Sequence, residues 1–173
     1  MNEEGYARQI ADGNRFEFGK NWASFLETLN EEKIQAATKS LCTMLEVDEL
    51  RGKTFLDIGS GSGLFSLAAK FLDASVFSFD YDPQSVACTK ALRGKYFKND
   101  ESWRIEPGSI LDADYVAKLG TFDVVYSWGV LHHTGDMWGA LKNAELCVAK
   151  EGTLFVAVYN DQGWISRYWR TVK

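Results

Sequence analysis

The chain has only three cysteines and two prolines in 173 residues, and it has no long apolar run. Cys42, Cys88 and Cys147 are odd in number, widely spaced and form no C-x-x-C pair. That argues against a disulfide framework and against a zinc site, so each Cys reads as a small buried hydrophobe in a reduced protein. With two prolines and no Ser/Gly-rich stretch, neither a linker nor a domain boundary is visible. The longest clean apolar run is Leu154 to Val158. A membrane-spanning helix needs about 20 such residues, so a soluble protein is expected. The start, Met1-Asn-Glu-Glu-Gly5, is acidic and unlike a signal peptide, and a cytoplasmic location is expected. No polybasic run exists, and 24 acidic residues outweigh 19 basic ones for a net charge of −5. The bulk field therefore favours neither nucleic acid nor an anionic membrane.

What is present is globular: 46% of residues are hydrophobic and 25% charged. A domain of this length buries roughly 70% of its unfolded surface, enough for a real core without metal staples. Lys53–Ile58, Ser75–Phe79, Trp103–Ile105, Phe122–Tyr126 and Thr153–Val158 are short apolar runs with strand character. Between them, apolar spacing predicts helices over Leu64–Leu72, from Pro83 to about Phe97, over Tyr115–Leu119 and over Met137–Val148. Strands alternating with helices, and apolar along their whole length, predict a doubly wound, Rossmann-like α/β fold. It has a mostly parallel sheet of about five strands with helices on both faces. Ligands of such folds lie beyond the carboxyl ends of the strands.

The residues at those ends carry the chemistry. After the first strand comes Asp57-Ile-Gly59-Ser60-Gly61-Ser-Gly63. A dinucleotide loop of the G-x-G-x-x-G type would place its third glycine at residue 64, which is Leu64. A pyrophosphate has no use for the carboxylate of Asp57 at the loop entrance, whereas a cationic ligand does. Taken alone, the glycines read equally well as a packing turn. After the second strand comes Asp80-Tyr81-Asp82-Pro83. Asp80 stands where an acid meets the two hydroxyls of an adenosine ribose, with Tyr81 placed to pack on the adenine. Asp82 before Pro83 reads as the cap of the next helix.

With these residues in view, the chain resembles the class I S-adenosylmethionine-dependent methyltransferases. Leu56–Gly63 resembles the first motif of that family and Phe79-Asp80 the second. Gly108-Ser109-Ile110 resembles the segment that reads the adenine edge, with Ser109 where the family commonly has Asp. Phe122 to Asp136, with Val130-Leu131-His132-His133, resembles the fourth. The resemblance implies S-adenosyl-L-methionine as cofactor and S-adenosyl-L-homocysteine as product. By it, Gly59, Ser60, Gly61 and Gly63 meet the methionyl arm, which Asp57 orients or contacts. Asp80 takes the ribose, Tyr81 and Ile110 sandwich the adenine, Ser109 sits at its edge, and Trp128 walls the methionine arm. The family closes its site with N-terminal segments, so Phe16–Phe25 is expected to form a lid with Phe18, Gly19 and Trp22 nearest the ligand.

His132 and His133 are adjacent and are expected to point to different faces. That argues against a metal site and leaves one, His133 before His132, as a candidate general base. The whole reads as one domain: residues 1–48 a helical lid region, 49–160 the cofactor-binding core, 161–173 an aromatic helix. The last segment carries Trp164, Ile165, Tyr168 and Trp169 on one stripe. The family's sheet continues with two more strands beyond this point, so a truncated form is expected. Its uncovered stripe and open sheet edge would favour self-association. The acceptor is read as a small molecule, methylated on oxygen, with N- or C-methylation and a tRNA acceptor left open. Two other readings stand beside this one: a cofactor-binding module without activity, and an NAD(P)-dependent oxidoreductase, which lacks its glycine at 64.

Overall fold

The computed structural model describes residues 18–159. Asparagine and aspartate begin most of its helices. Asn30 caps α2 (Glu31–Leu45), which follows α1 (Phe18–Glu27). Asp82 caps α4 (Pro83–Tyr96), Asp112 caps α5 (Ala113–Leu119) and Asp136 caps α6 (Met137–Leu146). In each case the side-chain oxygen accepts a backbone N–H of the first turn that has no partner inside the helix. Helix α3 (Leu64–Phe71) differs, because its cap is Gly63 and no side chain closes it. The expected cap at Asp82 is therefore observed, followed by Pro83 in the first turn.

Five parallel strands form one sheet in the order β3-β2-β1-β4-β5. They are β1 (Thr54–Ile58), β2 (Ser75–Asp80), β3 (Trp103–Pro107), β4 (Phe122–Trp128) and β5 (Val148–Ala157). Alternating side chains feed two cores. Phe55, Val124 and Tyr126 face α2, α3 and α4, whereas Leu56, Ile58 and Val125 face α5 and α6. Both faces are covered, as the continuously apolar strands require. The strand order reverses between β1 and β4, which opens a crevice above their carboxyl ends.

Two elements differ from the sequence reading. The fifth strand starts at Val148 rather than Thr153, and α6 ends at Leu146. Phe122 pairs with Val148 but Val124 pairs with Thr153, so Ala149–Gly152 bulge out opposite Asp123. A Cβ at Gly152 would stand 2.8 Å from the Phe122 carbonyl oxygen. The Glu151-Gly152 pair thus marks a bulge inside the strand, not a turn before it. Helix α2 has no counterpart in the residue-by-residue reading beyond the expected helical N-terminal region. Residues 161–173, expected to form an aromatic helix, lie outside the described residues.

Away from the crevice, Lys70 of α3 is 6% exposed. Its ammonium donates to the Ala74 carbonyl and the Ser102 hydroxyl, pairs with Asp100 at 2.9 Å and sits 5.4 Å from the centre of the Phe97 ring. Lys70→Ala removes the cation and the packing of its stem together. It is expected to cost about 2 kcal/mol, read as a lower urea midpoint at unchanged slope.

Candidate functional site

A cavity of about 530 Å³ opens above the carboxyl ends of β1, β2 and β4. That volume lies within the usual range for small-ligand sites. The sequence-predicted residues Asp57, Gly59, Ser60 and Gly61 line it from the β1 loop. Asp80 and Tyr81 line it from β2, Ser109 and Ile110 from the loop after β3. Trp128 and His133 line it from β4 and beyond, and Trp22 from α1. Three strand ends, an inter-strand loop and a helix distant in sequence therefore converge on one site.

The β1 loop is held by its own amides. Gly59 and Ser60 donate N–H groups to the Phe79 carbonyl at 2.9 and 3.1 Å, and Gly63 donates to Ser60 at 2.8 Å. Gly61 donates to Asp80 Oδ2 at 2.9 Å. The Ser60 hydroxyl lies 3.0 Å from that of Thr89, within the protein. A loop whose amides are engaged in this way is a poor cradle for a pyrophosphate, which needs several unpaired N–H donors. Gly59 and Gly61 have φ of +75° and +54°, and an added Cβ would meet Val130 at 2.5 Å and the Trp22 indole at 2.9 Å. Their backbone lies against neighbours that any side chain would displace. Gly63 does not line the cavity. A Cβ there would stand 2.9 Å from the backbone of Thr89, so this glycine lets α3 approach α4.

Asp80 is a hub. Its Oδ2 holds Gly61, and its Oδ1 accepts the Asp82 N–H at 2.9 Å. These two bonds to backbone amides fix the plane of its carboxylate at the cavity wall. Asp57 is 3% exposed and accepts the hydroxyl of Ser66. Burial, aided by the charge of Asp80, pushes its carboxyl up to about 7, against the pull of the Ser66 hydrogen bond. Ser109 Oγ accepts the Leu111 N–H at 3.2 Å, and the Ile110 carbonyl accepts from Asn143.

At the far end the wall is aromatic. Trp128 stacks on Phe65 and Phe155, and Tyr126 stacks on Phe155 at 5.4 Å. Tyr159, 66% exposed, shares this end of the cavity with Trp128. Trp22 meets Phe25 edge-on, and both line the cavity. The expected neighbours Phe18 and Gly19 belong to α1, but their surroundings lie outside what is described.

The histidines correct one expectation. Leu131–His133 form a single 3-10 turn, not a strand, and the two rings lie 4.0 Å apart rather than on opposite faces. Three residues per turn sets neighbours about 120° apart, close enough for the rings to swing together. His133 lines the cavity, whereas His132 packs behind it against Tyr159, with neither ring nitrogen hydrogen-bonded. Burial lowers the pKa of both, and His132 lowers that of His133 further, so both are held neutral.

Phe65, Tyr126 and Tyr159 belong to the site but were not singled out from sequence. Tyr126 had a signal: parallel register sets it beside Asp57. Phe65 and Tyr159 had none, since they look like any helix or loop aromatic. Across the cavity lining, the described residues include three aspartates and neither Lys nor Arg. Carboxylates at one end, aromatic walls and glycines without room for a side chain fit an adenosyl ligand with a cationic tail, not one with a phosphate chain.

Comparison with known proteins agrees. Residues 56–154, more than half of the chain, match the family described as methyltransferase domain. The chain is 28% identical over 155 residues to the ribosomal protein L11 methyltransferase of Macrococcus caseolyticus, covering 75% of this chain and 47% of that protein. It is 33% identical over 87 residues to the tRNA U34 carboxymethyltransferase of Pseudoalteromonas translucida, covering 50% of this chain and 26% of that protein. It thus spans less than half the length of either. In fold it is similar to magnesium protoporphyrin IX methyltransferase of Synechocystis PCC 6803, solved with bound SAH. That match has a TM-score of 0.64 at 16% identity, over 83% of this chain and 67% of that one. From the glycine loop through the fourth strand, then, sequence and fold agree: the chain belongs to the methyltransferase domain family, in its class I, S-adenosylmethionine-dependent form.

Proposed function

We propose that this protein transfers a methyl group from S-adenosyl-L-methionine to an oxygen of a small-molecule acceptor. The observation that carries the cofactor half is the acidic cavity: three aspartates and no Lys or Arg among its described lining residues. The cofactor supplies a methyl group already activated on a sulfonium. The protein's own part is binding and alignment, which can contribute roughly 7–11 kcal/mol to such a reaction.

In this reading Asp80 accepts the ribose hydroxyls while keeping Gly61 in place. Tyr81 and Ile110 hold the adenine between them with Ser109 at its edge, and Asp57 faces the ammonium of the methionyl arm. Trp128 closes that arm, and α1, through Trp22, covers the glycine loop as a lid. His133, held neutral, receives the proton that an acceptor hydroxyl releases. Trp128 and Tyr159 form the walls of the acceptor end, which suits a flat or apolar small molecule better than a folded RNA. The relatives named for tRNA and ribosomal protein are too distant to carry their substrates over.

A thermal-shift panel tests the cofactor. At about 100 times Kd, S-adenosylhomocysteine is expected to add about 2.7 kcal/mol, or about 5–10 °C in Tm. NAD and NADP are expected to add nothing, and the reverse pattern would overturn the reading. Release of S-adenosylhomocysteine with a panel of hydroxylated small molecules, but not with bulk tRNA, tests the acceptor.

A further inference from the structure

Behind Asp57 lies a chain of buried polar groups that no part of the binding scheme has used. Trp103, Ser78 and Ser66 are each 0% exposed. The Trp103 indole N–H donates to Ser78 Oγ at 2.9 Å, Ser78 Oγ lies 2.7 Å from Ser66 Oγ, and Ser66 donates to Asp57 Oδ2. The chain runs from the outer strand β3, through β2 and α3, to the cavity end of β1. An indole N–H can only donate, and a hydroxyl has one hydrogen. Since Ser66 gives its hydrogen to Asp57, Ser78 must give its own to Ser66 and accept that of Trp103. Three hydrogens thus point the same way, toward the carboxylate. Such a chain polarises itself link by link and favours the ionised acid at its end.

We propose that Ser66, set by Ser78 and Trp103, is a positioning residue that holds Asp57 by one oxygen as a carboxylate and leaves the other to receive the cofactor's ammonium. This rests on the reading above in which Asp57 faces that ammonium. Without the chain, Asp57 would be a buried acid beside a second acid and would keep its proton at neutral pH. The titratable groups coupled to it are Asp80 from β2, whose charge opposes ionisation, and Tyr126 from β4, a phenol that burial keeps neutral. Lys70, the cation of α3, is held by Asp100 at the other end of that helix. Among the described residues, this chain together with the Ser66 backbone N–H is what opposes burial and Asp80.

The test is the affinity for S-adenosylhomocysteine, measured by calorimetry on the full chain between pH 5.5 and 8.5. Wild type is expected to bind more tightly as pH rises and to level off above about 7. Ser66→Ala is expected to carry that curve upward by about one pH unit, about fivefold weaker at pH 7 and converging on wild type near 8.5. Ser66→Thr keeps the hydroxyl and is expected to restore the curve. Ser78→Ala, which leaves the Ser66–Asp57 bond in place, is expected to shift it by about half as much. A Ser66→Ala curve that overlays wild type, or one weakened equally at every pH, overturns the proposal. Should Ser66→Ala fail to fold, as circular dichroism would report, the Ser78→Ala and Ser66→Thr curves decide it, and an unshifted Ser78→Ala overturns it. Asp57→Asn separates the two levels. If it binds like wild type at every pH, Asp57 does not face the ammonium and the underlying reading fails. If it binds weakly and without pH dependence while Ser66→Ala is unshifted, only the proposal fails.

Discussion

Asp80→Ala is expected to weaken binding of S-adenosylhomocysteine by about 100-fold, about 2.7 kcal/mol. Two effects add. The ligand loses acceptors for two ribose hydroxyls, and charge-assisted bonds of that kind are worth about 1.5–3 kcal/mol each. The Gly61 N–H, now bound to Asp80 at 2.9 Å, also loses its partner. The part of the loop that lies against Trp22 then loses one of the loop's ties to β2, leaving those of Gly59 and Ser60 to the Phe79 carbonyl. Asp80→Asn keeps one carbonyl acceptor and is expected to lose only about tenfold. Calorimetry on both variants, with circular dichroism to verify folding, checks the pair. Equal affinities for wild type and Asp80→Ala would remove Asp80 from the ligand.

Asp57→Asn is expected to stabilise the free protein at pH 8 while destroying its affinity for the ligand. The folded carboxyl titrates near 7 and the unfolded one near 3.9, because burial disfavours its charge. Between those values the folded state binds the extra proton. The contribution of Asp57 to stability is therefore complete below about pH 4 and is lost as pH rises through 7. Asparagine carries no charge at any pH, so its advantage appears only at the upper end: about 4 kcal/mol at pH 8 and close to zero at pH 4. Urea denaturation of wild type and variant at the two pH values reads this directly. A variant no more stable at pH 8 than at pH 4, relative to wild type, would show that burial does not disfavour the Asp57 charge. Stability given up at one buried acid is a common mark of a ligand site.

The fold was legible because its signals are local. Asp57, Asp80 and the glycines stand at strand ends, and once strands alternate with helices the parallel topology brings those ends together. The cap at Asp82 was legible for the same reason, since three residues suffice to define it. The β5 bulge was not, because it depends on the Phe122 carbonyl crowding Gly152 from another strand. The stacked histidines were not, because adjacency in sequence says nothing of a 3-10 turn.

Sequence alone determined the class of fold and the acids at the first two strand ends, because each rests on chain-local periodicity and on residue chemistry, and the likeness of its motifs to known methyltransferases gave the family. Tertiary structure alone decided that Gly63 serves helix packing, that Asp80 braces the glycine loop, that His133 rather than His132 reaches the cavity, and that Trp103 stands at the far end of a hydrogen-bonded chain from Asp57. These rest on contacts between residues 9 or more positions apart, with the histidine pair as the exception. No periodicity encodes which side chain of one element faces which side chain of another.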